Sequence, residues 1–407
     1  MRLTTIAYLA SYTLSLLGNS IASIALPLII LHTTGSALSA GIVAAATAIP
    51  AVLAGLFMGV VIDRINRRTS SVLTDLISAA AIGMLPLVDM ISGLNLGWFV
   101  ILGMFSALGD VPGQTAREAL LPAIVRNSTL SSERLVGLRE GAGALALLVG
   151  PAIAGTLMAL FDGSTVLWVT AATSFAAALN TLLIPHRAGA IPATEENTTV
   201  GNGWSQLRHG WRVLFRTRFL FIVTVLSLAS AIVMSGLQGL ILPVHFILLD
   251  QPSLLGFVLS SMAAGVLVGA GCYSVLGQRG SRRTWFVLGL TGVMIGFAVI
   301  ASLVTVWMIF AGGFLVGLSS GVFSSLLGVL MIERIPEYMR GRIMGTQNSI
   351  LTAAPAAGVM FAAVLTEQFS VAVAAIAVAG IWLLVMLFAL FEPALRNLDA
   401  ALAQDAD

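Results

Sequence analysis

Long apolar runs broken by short polar stretches account for almost the whole chain. A helix crosses a bilayer with about 20 mostly apolar residues. Twelve runs meet that length, near 5–31, 39–62, 70–91, 97–117, 132–160, 165–185, 219–246, 253–276, 284–303, 307–332, 343–365 and 369–391. Each is predicted to be one transmembrane helix, so the expected fold class is an all-α membrane protein.

Landmarks within these runs repeat. Ile24-Ala25-Leu26-Pro27-Leu28 near the end of the first run is echoed by Leu240-Ile241-Leu242-Pro243-Val244 near the end of the seventh. Pro27 stands 40 residues before Arg67-Arg68, and Pro243 stands 39 before Arg282-Arg283. Gly150-Pro151-Ala152 in the fifth run has a counterpart in Ala354-Pro355-Ala356 in the eleventh. Two pseudo-symmetric six-helix bundles are therefore predicted, at 1–185 and 218–391, with 392–407 as a cytosolic tail. The intervening 186–217 reads as a cytosolic linker. Its second part puts Trp204, Leu207, Trp211 and Leu214 on one side and Arg208, Arg212 and Arg216 on another, the pattern of an amphipathic helix lying on the cytosolic leaflet.

Composition supports the membrane reading. The chain is 58% hydrophobic and only 9% charged, whereas soluble domains carry about 25% charged residues. Only Arg2 precedes the first run, which is too long for a signal peptide, so a retained first helix is expected. Every basic residue is arginine, and all twenty fall in predicted cytosolic segments or within about two turns of them. That bias orients the chain with both termini cytosolic and accounts for the net charge of +2 without any nucleic-acid partner. The absence of lysine excludes a phosphate-binding Gly-Lys loop and a Schiff base, so uphill work would draw on an ion gradient or another subunit. The single Cys272 permits no internal disulfide, and the four histidines lack metal-ligand spacing. No cofactor and no metal are expected.

The sharpest polar break is Gly59-Val60-Val61-Ile62-Asp63-Arg64-Ile65-Asn66-Arg67-Arg68. Such a charge cluster marks a membrane–water boundary, because an ionised group at the bilayer centre costs several kcal/mol. The decapeptide resembles the helix 2–3 signature of the major facilitator superfamily, Gly-x-x-x-Asp-Arg-x-Gly-Arg-Arg/Lys, with Asn66 in place of the usual glycine. Asn tolerates the left-handed conformation that a glycine suggests, so the turn is expected to survive. The resemblance implies the two-bundle major facilitator fold and a gate. In that gate Asp63 meets the start of helix 11 after Arg340-Gly341-Arg342, with Arg64, Arg67, Arg68 and Arg117 as its basic members. The second-half copy carries Gln278 where the acid would be, which implies a weaker gate.

Helix 5 carries Gly137, Ala146, Gly150, Pro151, Ala154 and Gly155, similar to the glycine-proline pattern of superfamily antiporters. This implies an exporter, although small residues and a kink are also general packing devices. The Arg117…Leu121-Pro122 and Arg340-Gly341-Arg342 loops resemble bacterial multidrug exporters of the Tap and macrolide-efflux kind.

An acid inside a membrane span is a functional candidate. Asp110 lies in Gly109-Asp110-Val111-Pro112-Gly113, about two turns from Arg117-Glu118, and either carries a proton or contacts substrate, or is a structural tie to Arg117 or another arginine. Glu140, beside Arg139, is the second proton candidate and is equally open to an ion pair. Asp75 is expected to join the arginine cluster. Asn19, Ser23, Met234, Gln238, Phe323 and Gln347 are the substrate-cavity candidates; the polar ones could instead be interhelical hydrogen bonds and the soft ones ordinary packing. Gly317-Leu318-Ser319-Ser320-Gly321 fits a nucleophile-elbow pattern, but it lies within a membrane run and no strand precedes it, so no enzyme is expected.

The expectation is thus a proton-coupled exporter of hydrophobic or amphipathic compounds, acting as a monomer in the bacterial cytoplasmic membrane. A transporter of another cargo, such as a siderophore or lipid, is the first alternative, and a non-transporting scaffold or receptor the second.

Overall fold

The structure, a computed structural model, describes residues 3–62, 65–128, 132–190, 212, 215–277, 279, 281–334, 337–392 and 395. At 55–62, 127, 132, 133, 136, 332–334, 337–346, 348 and 349 it describes the backbone alone. Among these residues, twelve helices are long and apolar enough to cross a membrane. They are α1 (Leu3–Thr34), α2 (Ala37–Ile62), α3 (Arg67–Ser92), α4 (Leu96–Asn127), α5 (Ser132–Leu160), α6 (Gly163–Leu182), α7 (Arg218–Leu248), α8 (Ser253–Leu276), α9 (Arg282–Ala301), α10 (Val306–Arg334), α11 (Glu337–Gln368) and α12 (Val371–Phe391).

Local chemistry sets the helix ends. Asn95, Asp162, Ser281 and Ser370 cap α4, α6, α9 and α12, each side chain accepting from a backbone N–H three residues on and so satisfying a donor that has no partner within the helix. Asp162 also accepts from the Thr165 hydroxyl, and these bonds hold its carboxyl below the usual carboxylate range. Gly93 follows α3 at φ 75°, a conformation that a Cβ would strain.

One boundary differs from the sequence expectation. α4 runs ten residues past 117, to Asn127, because Leu120 and Ile124 are fully buried beside Tyr8, Leu135 and Ile184. Arg117 therefore lies inside the helix, not at its end.

The first bundle is α1–α6, with α3 packed on α4 and α6, and α1 packed on α5 and α6. The second is α7–α12, built round α8 against α10 and α9 against α10. Gly317 and Gly321 of α10 abut the carbonyls of Met262 and Val266 on α8, so a Cβ at either would collide with backbone.

The bundles meet along α2–α11 and α5–α8. Gly41 of α2 lies against Ala363 and Met360 of α11, and Gly155 of α5 lies against Ser253 and Gly256 of α8. Ser260 adds a hydrogen bond to the Leu148 carbonyl at 2.7 Å. These contacts lie in the middle and on the face away from the amino terminus, here termed the far face. Towards the arginine-bearing face, Gly137 and Gly141 of α5 and Gly271 of α8 have open space around them. Among the described residues, the bundles part on that side.

The α2–α3 loop corrects another expectation. Asn66 has φ −53° and ψ 120°, so it is not left-handed. It is the N-cap of α3: its side-chain oxygen accepts from the Arg68 and Thr69 N–H groups at 3.1 and 3.3 Å. Its amide donates to the His186 carbonyl at 3.0 Å. The linker start is thereby docked as a 3-10 turn, His186–Gly189, with Ala188 buried in the cluster round Leu120. The rest of the expected interfacial helix, including Trp204, Leu207, Arg208, Trp211 and Leu214, lies outside the described residues.

Two predictions follow from these contacts. Asn66→Ala removes both the cap and the tether and is expected to lower stability by about 1 kcal/mol, the usual cost of a lost N-cap; Asn66→Asp keeps the acceptor but not the amide donor and should fall between. Thermal unfolding in detergent measures both. Gly256→Val places a side chain against the Pro151 carbonyl, so spin labels at His32 and Gln251 on the far face should move apart in pulsed electron resonance; an unchanged separation would show that the contact does not hold the bundles together.

Candidate functional site

A cavity of about 520 Å³ lies between the bundles at mid-depth. Its walls are mainly apolar, interrupted by Asn19, Ser23, Thr47, Asp110, Gln238 and Thr352. Among the described residues, no arginine lines it.

Proline shapes its two long walls. Pro27 in α1 has no N–H to donate to the carbonyl four residues back, that of Ser23, and both residues line the cavity. In α7, Pro243 poses the same problem for Gly239. There the helix inserts a π turn, Leu237–Ile241, in which the Leu242 N–H reaches back to the Leu237 carbonyl. Such turns often coincide with function, and this one brings Gln238 and Gly239 to the cavity wall.

Asp110 is the one carboxylate in the lining. Ser78 of α3 donates to its Oδ1 at 2.8 Å and Ser106, one turn earlier on α4, to its Oδ2 at 3.2 Å. The α3 contact depends on Gly109: a Cβ there would crowd the Thr74 carbonyl and stand 3.0 Å from the Ser78 nitrogen. No ion pair to Asp110 occurs among the described residues. Asp110 thus stands in the cavity wall, held by two hydroxyls.

Arg117 differs from its expected position in a cytosolic loop. It is 3% exposed, pairs through Nη2 with Asp75 Oδ1, and its carbonyl accepts from the Tyr8 hydroxyl at 3.2 Å. The charge is tolerated at this depth because an opposite charge accompanies it, which sequence reading took for a boundary marker instead. Asp75 accordingly belongs to a buried pair and not to the loop arginines.

Glu140 is exposed, 3.4 Å from Arg139 Nη1, and away from the cavity. Arg139 also reaches Glu118 at 3.2 Å and lies 5.0 Å above the Tyr12 ring. Arg67 and Arg68 donate to the carbonyls of Ala119 and Leu182, pinning the α3 start to α4 and α6. Asp63 and Arg64 lie outside the described residues, and of Arg340 and Arg342 only the helical backbone is described.

Asn19, Ser23 and Gln238 line the cavity as expected of candidates, but three others do not. Phe323 packs between Phe286 and Trp382 in the core of the second bundle, where aromatic edges bury more area than a cavity wall offers. Met234 backs Gln238, its sulfur 3.9 Å from the amide, and Gln347 is buried on α11 outside the lining. The helix 5 stripe divides its work. Gly150 admits Ser20 of α1, Pro151 and Gly155 meet α8, Ala146 and Ala154 are buried, and a Cβ at Gly137 would meet no other element within 4 Å. Sequence reading missed Thr47, Thr352 and the Asp75–Arg117 pair as a pair; the spacing of Asp75 to Ser78 and of Asp110 to Gly113 to Arg117, each on one helical face, was the available signal.

Comparison with known proteins agrees with this architecture. The chain is 31% identical over 394 residues to the multidrug efflux pump Tap of Mycobacterium tuberculosis, covering 96% of this chain and 93% of that protein. It is 22% identical over 375 residues to the macrolide efflux protein A of Streptococcus pyogenes, covering 89% of each. The crystal structure of a variant of the nucleoside transporter NupG superposes with a TM-score of 0.81 at 13% identity, covering 96% of this chain and all of the other. The family model described as Major Facilitator Superfamily matches residues 8–250 and 228–403. With a two-bundle fold, a cavity between the bundles and these matches over nearly its whole length, the chain belongs to the Major Facilitator Superfamily.

Proposed function

We propose that this chain is a proton-coupled exporter of hydrophobic or amphipathic compounds in the bacterial cytoplasmic membrane, with both termini in the cytosol. The observation that carries the reading is the cavity itself: an apolar chamber at mid-depth that, among the described residues, holds one carboxylate, Asp110, hydrogen-bonded and without an ion pair. The full-length similarity to proteins named as multidrug and macrolide efflux proteins supports the cargo class.

The arginine bias assigns the open side to the cytosol. A compound enters there, from the cytosol or the inner leaflet, and rests against the apolar wall, with Asn19, Ser23 and Gln238 as hydrogen-bonding partners. Rocking of the bundles about α2–α11 and α5–α8 closes that side and opens the far one. A carboxylate in an apolar chamber is costly unless it is neutralised. A proton from outside, arriving at Asp110, removes that cost as the compound leaves, and its release to the cytosol resets the site. Proton and cargo thus move in opposite directions.

Asp63 and Arg64, with Arg67, Arg68, Arg340 and Arg342, are the proposed cytosolic latch in the outward-open state; Arg117, held by Asp75 inside the first bundle, is not part of it. The small-residue stripe of α5 gives the bundles a surface on which to pivot. An anionic cargo such as a siderophore is disfavoured by a lining without arginine. A silent receptor would bind ligand without flux.

Proteoliposomes with radiolabelled erythromycin, a macrolide, test the reading. Uptake should follow an imposed pH gradient in the wild type and lose that dependence in Asp110→Asn; drug movement indifferent to the gradient in the wild type would sink proton coupling. Asp63→Asn should slow turnover while leaving binding of the same probe near wild type, and wild-type turnover in that variant would rule out the latch.

A further inference from the structure

The cycle above uses one of two acids inside the first bundle, the half-buried Asp110. The other, Asp75 of α3, holds Arg117 of α4 in a pair that is incomplete on both sides. Asp75 Oδ2 and Arg117 Nε are buried and find no hydrogen-bond partner. Buried atoms of this kind call for an explanation, because a fully used guanidinium would satisfy a carboxylate with two parallel bonds.

The guanidinium also lies towards Asp110. Side chains on a helix lean to its amino-terminal end, and from Arg117 that direction passes Gly113 and then Asp110. Gly113 stands four residues before Arg117 and three after Asp110, on one face of α4. A Cβ at Gly113 would be 3.2 Å from Arg117 Nη1 and 3.0 Å from the Thr74 hydroxyl, so only glycine leaves the track between them open. On α3, Ser78, whose hydroxyl bonds Asp110, is one turn beyond Asp75.

The surroundings isolate these groups. Ser15 and Tyr8 of α1 face Asp75 and Arg117 respectively, and Tyr12 faces Arg139 of α5, which is itself committed to Glu118 and Glu140. The helices α2 and α6 that pack on α4 and α3 contain no ionisable residue in Ala37–Ile62 or Gly163–Leu182, and the 3-10 turn that also packs on both carries His186 and Arg187, exposed at the start of α3 beside Asn66.

We propose that Asp75, Asp110 and Arg117 form a single ionisable unit, in which Arg117 is the counter-ion shared by the two acids and Asp75 is the second proton carrier. In one arrangement Asp110 bears the proton and Arg117 pairs with Asp75. In the other the Asp110 O–H bond has broken, an O–H bond has formed on Asp75, and the guanidinium has moved over Gly113 to the new carboxylate at Asp110. Both arrangements hold one proton, two acids and one guanidinium, with no net charge. Asp75 lies nearer the arginine face and gives the proton up to the cytosol. The inference rests on the proton-coupled reading of Asp110.

The full-length protein in proteoliposomes tests it with radiolabelled erythromycin in two assays, pH-gradient-driven uptake and counterflow without a gradient. The double variant Asp75→Asn/Arg117→Gln removes both charges, which spares the fold the cost of one buried charge left alone. The expected result is loss of gradient-driven uptake with counterflow kept. Gradient-driven uptake retained would reduce the pair to a structural tie, and loss of counterflow as well would assign it to folding or binding; either overturns the inference. A cryo-electron microscopy structure of Asp75→Asn supplies a readout that a structural tie would not move: Arg117 should lie on Asp110, and Arg117 remaining beside Asn at 75 overturns the shared counter-ion. Wild-type counterflow without any gradient-driven uptake would instead defeat the proton-coupled reading itself, before any variant is made.

Discussion

Where α4 crosses α3, Gly109 and Gly113 leave no side chain between the two backbones, and the polar chemistry of the membrane interior depends on that absence. Thr74, Asp75 and Ser78 on one helix come within reach of Asp110 and Arg117 on the other only because the helices approach this closely. A hydrocarbon environment offers no water to satisfy an acid. Asp110 survives there on two hydroxyls, and Arg117 survives on a carboxylate. Interhelical hydrogen bonds in membranes are individually small, on the order of 0.6 kcal/mol. What they supply here is position: they hold one unpaired acid at the wall of a chamber that is otherwise apolar.

The same device, glycine against backbone, recurs between the bundles with a different consequence. Gly155 and Gly256 bring α5 and α8 together without interlocking large side chains, and Gly41 does so for α2 and α11. Smooth contacts of this kind permit two rigid units to tilt against one another, whereas deeply interdigitated leucines would resist it. Within the second bundle, Gly317 and Gly321 bring α8 against α10 by the same close approach.

Much of this was legible in the sequence because the bilayer imposes a length and a polarity that need no tertiary information. The twelve helices and the candidacy of Asp110 followed from that constraint, the repeat from the spacing of proline and arginine landmarks, and the candidacy of Asn19, Ser23 and Gln238 from the resemblance to the superfamily, whose helices 1 and 7 line the cavity. Misreadings arose where a residue's meaning depended on a partner far along the chain. Arg117 looked like a helix end because its charge was counted without Asp75, 42 residues earlier. Phe323 looked like soft lining because Phe286 and Trp382, which enclose it, lie in other helices. Asn66 was judged against the glycine it replaces, when its own chemistry, an oxygen and an amide, suits a helix cap and a tether to His186.

The two bundles, similar in topology, are unequal in charge, and the inequality has a direction. The described part of the second bundle contains no acid at mid-depth; its one buried carboxylate, Glu392, sits at the end of α12 against Arg218 at the start of α7. Its contribution to the cavity is shape: the π turn that turns Gln238 inward, and Pro355 with its neighbours on α11. The first bundle supplies the ionisable seam. Among the described residues, the site is thus divided between an acid-bearing wall from the first bundle and a shaped, uncharged wall from the second. The position of Gln278, where the repeat would require an acid, fits the same division. Once the first bundle carries the charge, the second is free to lose it and to keep only the curvature that the cavity needs.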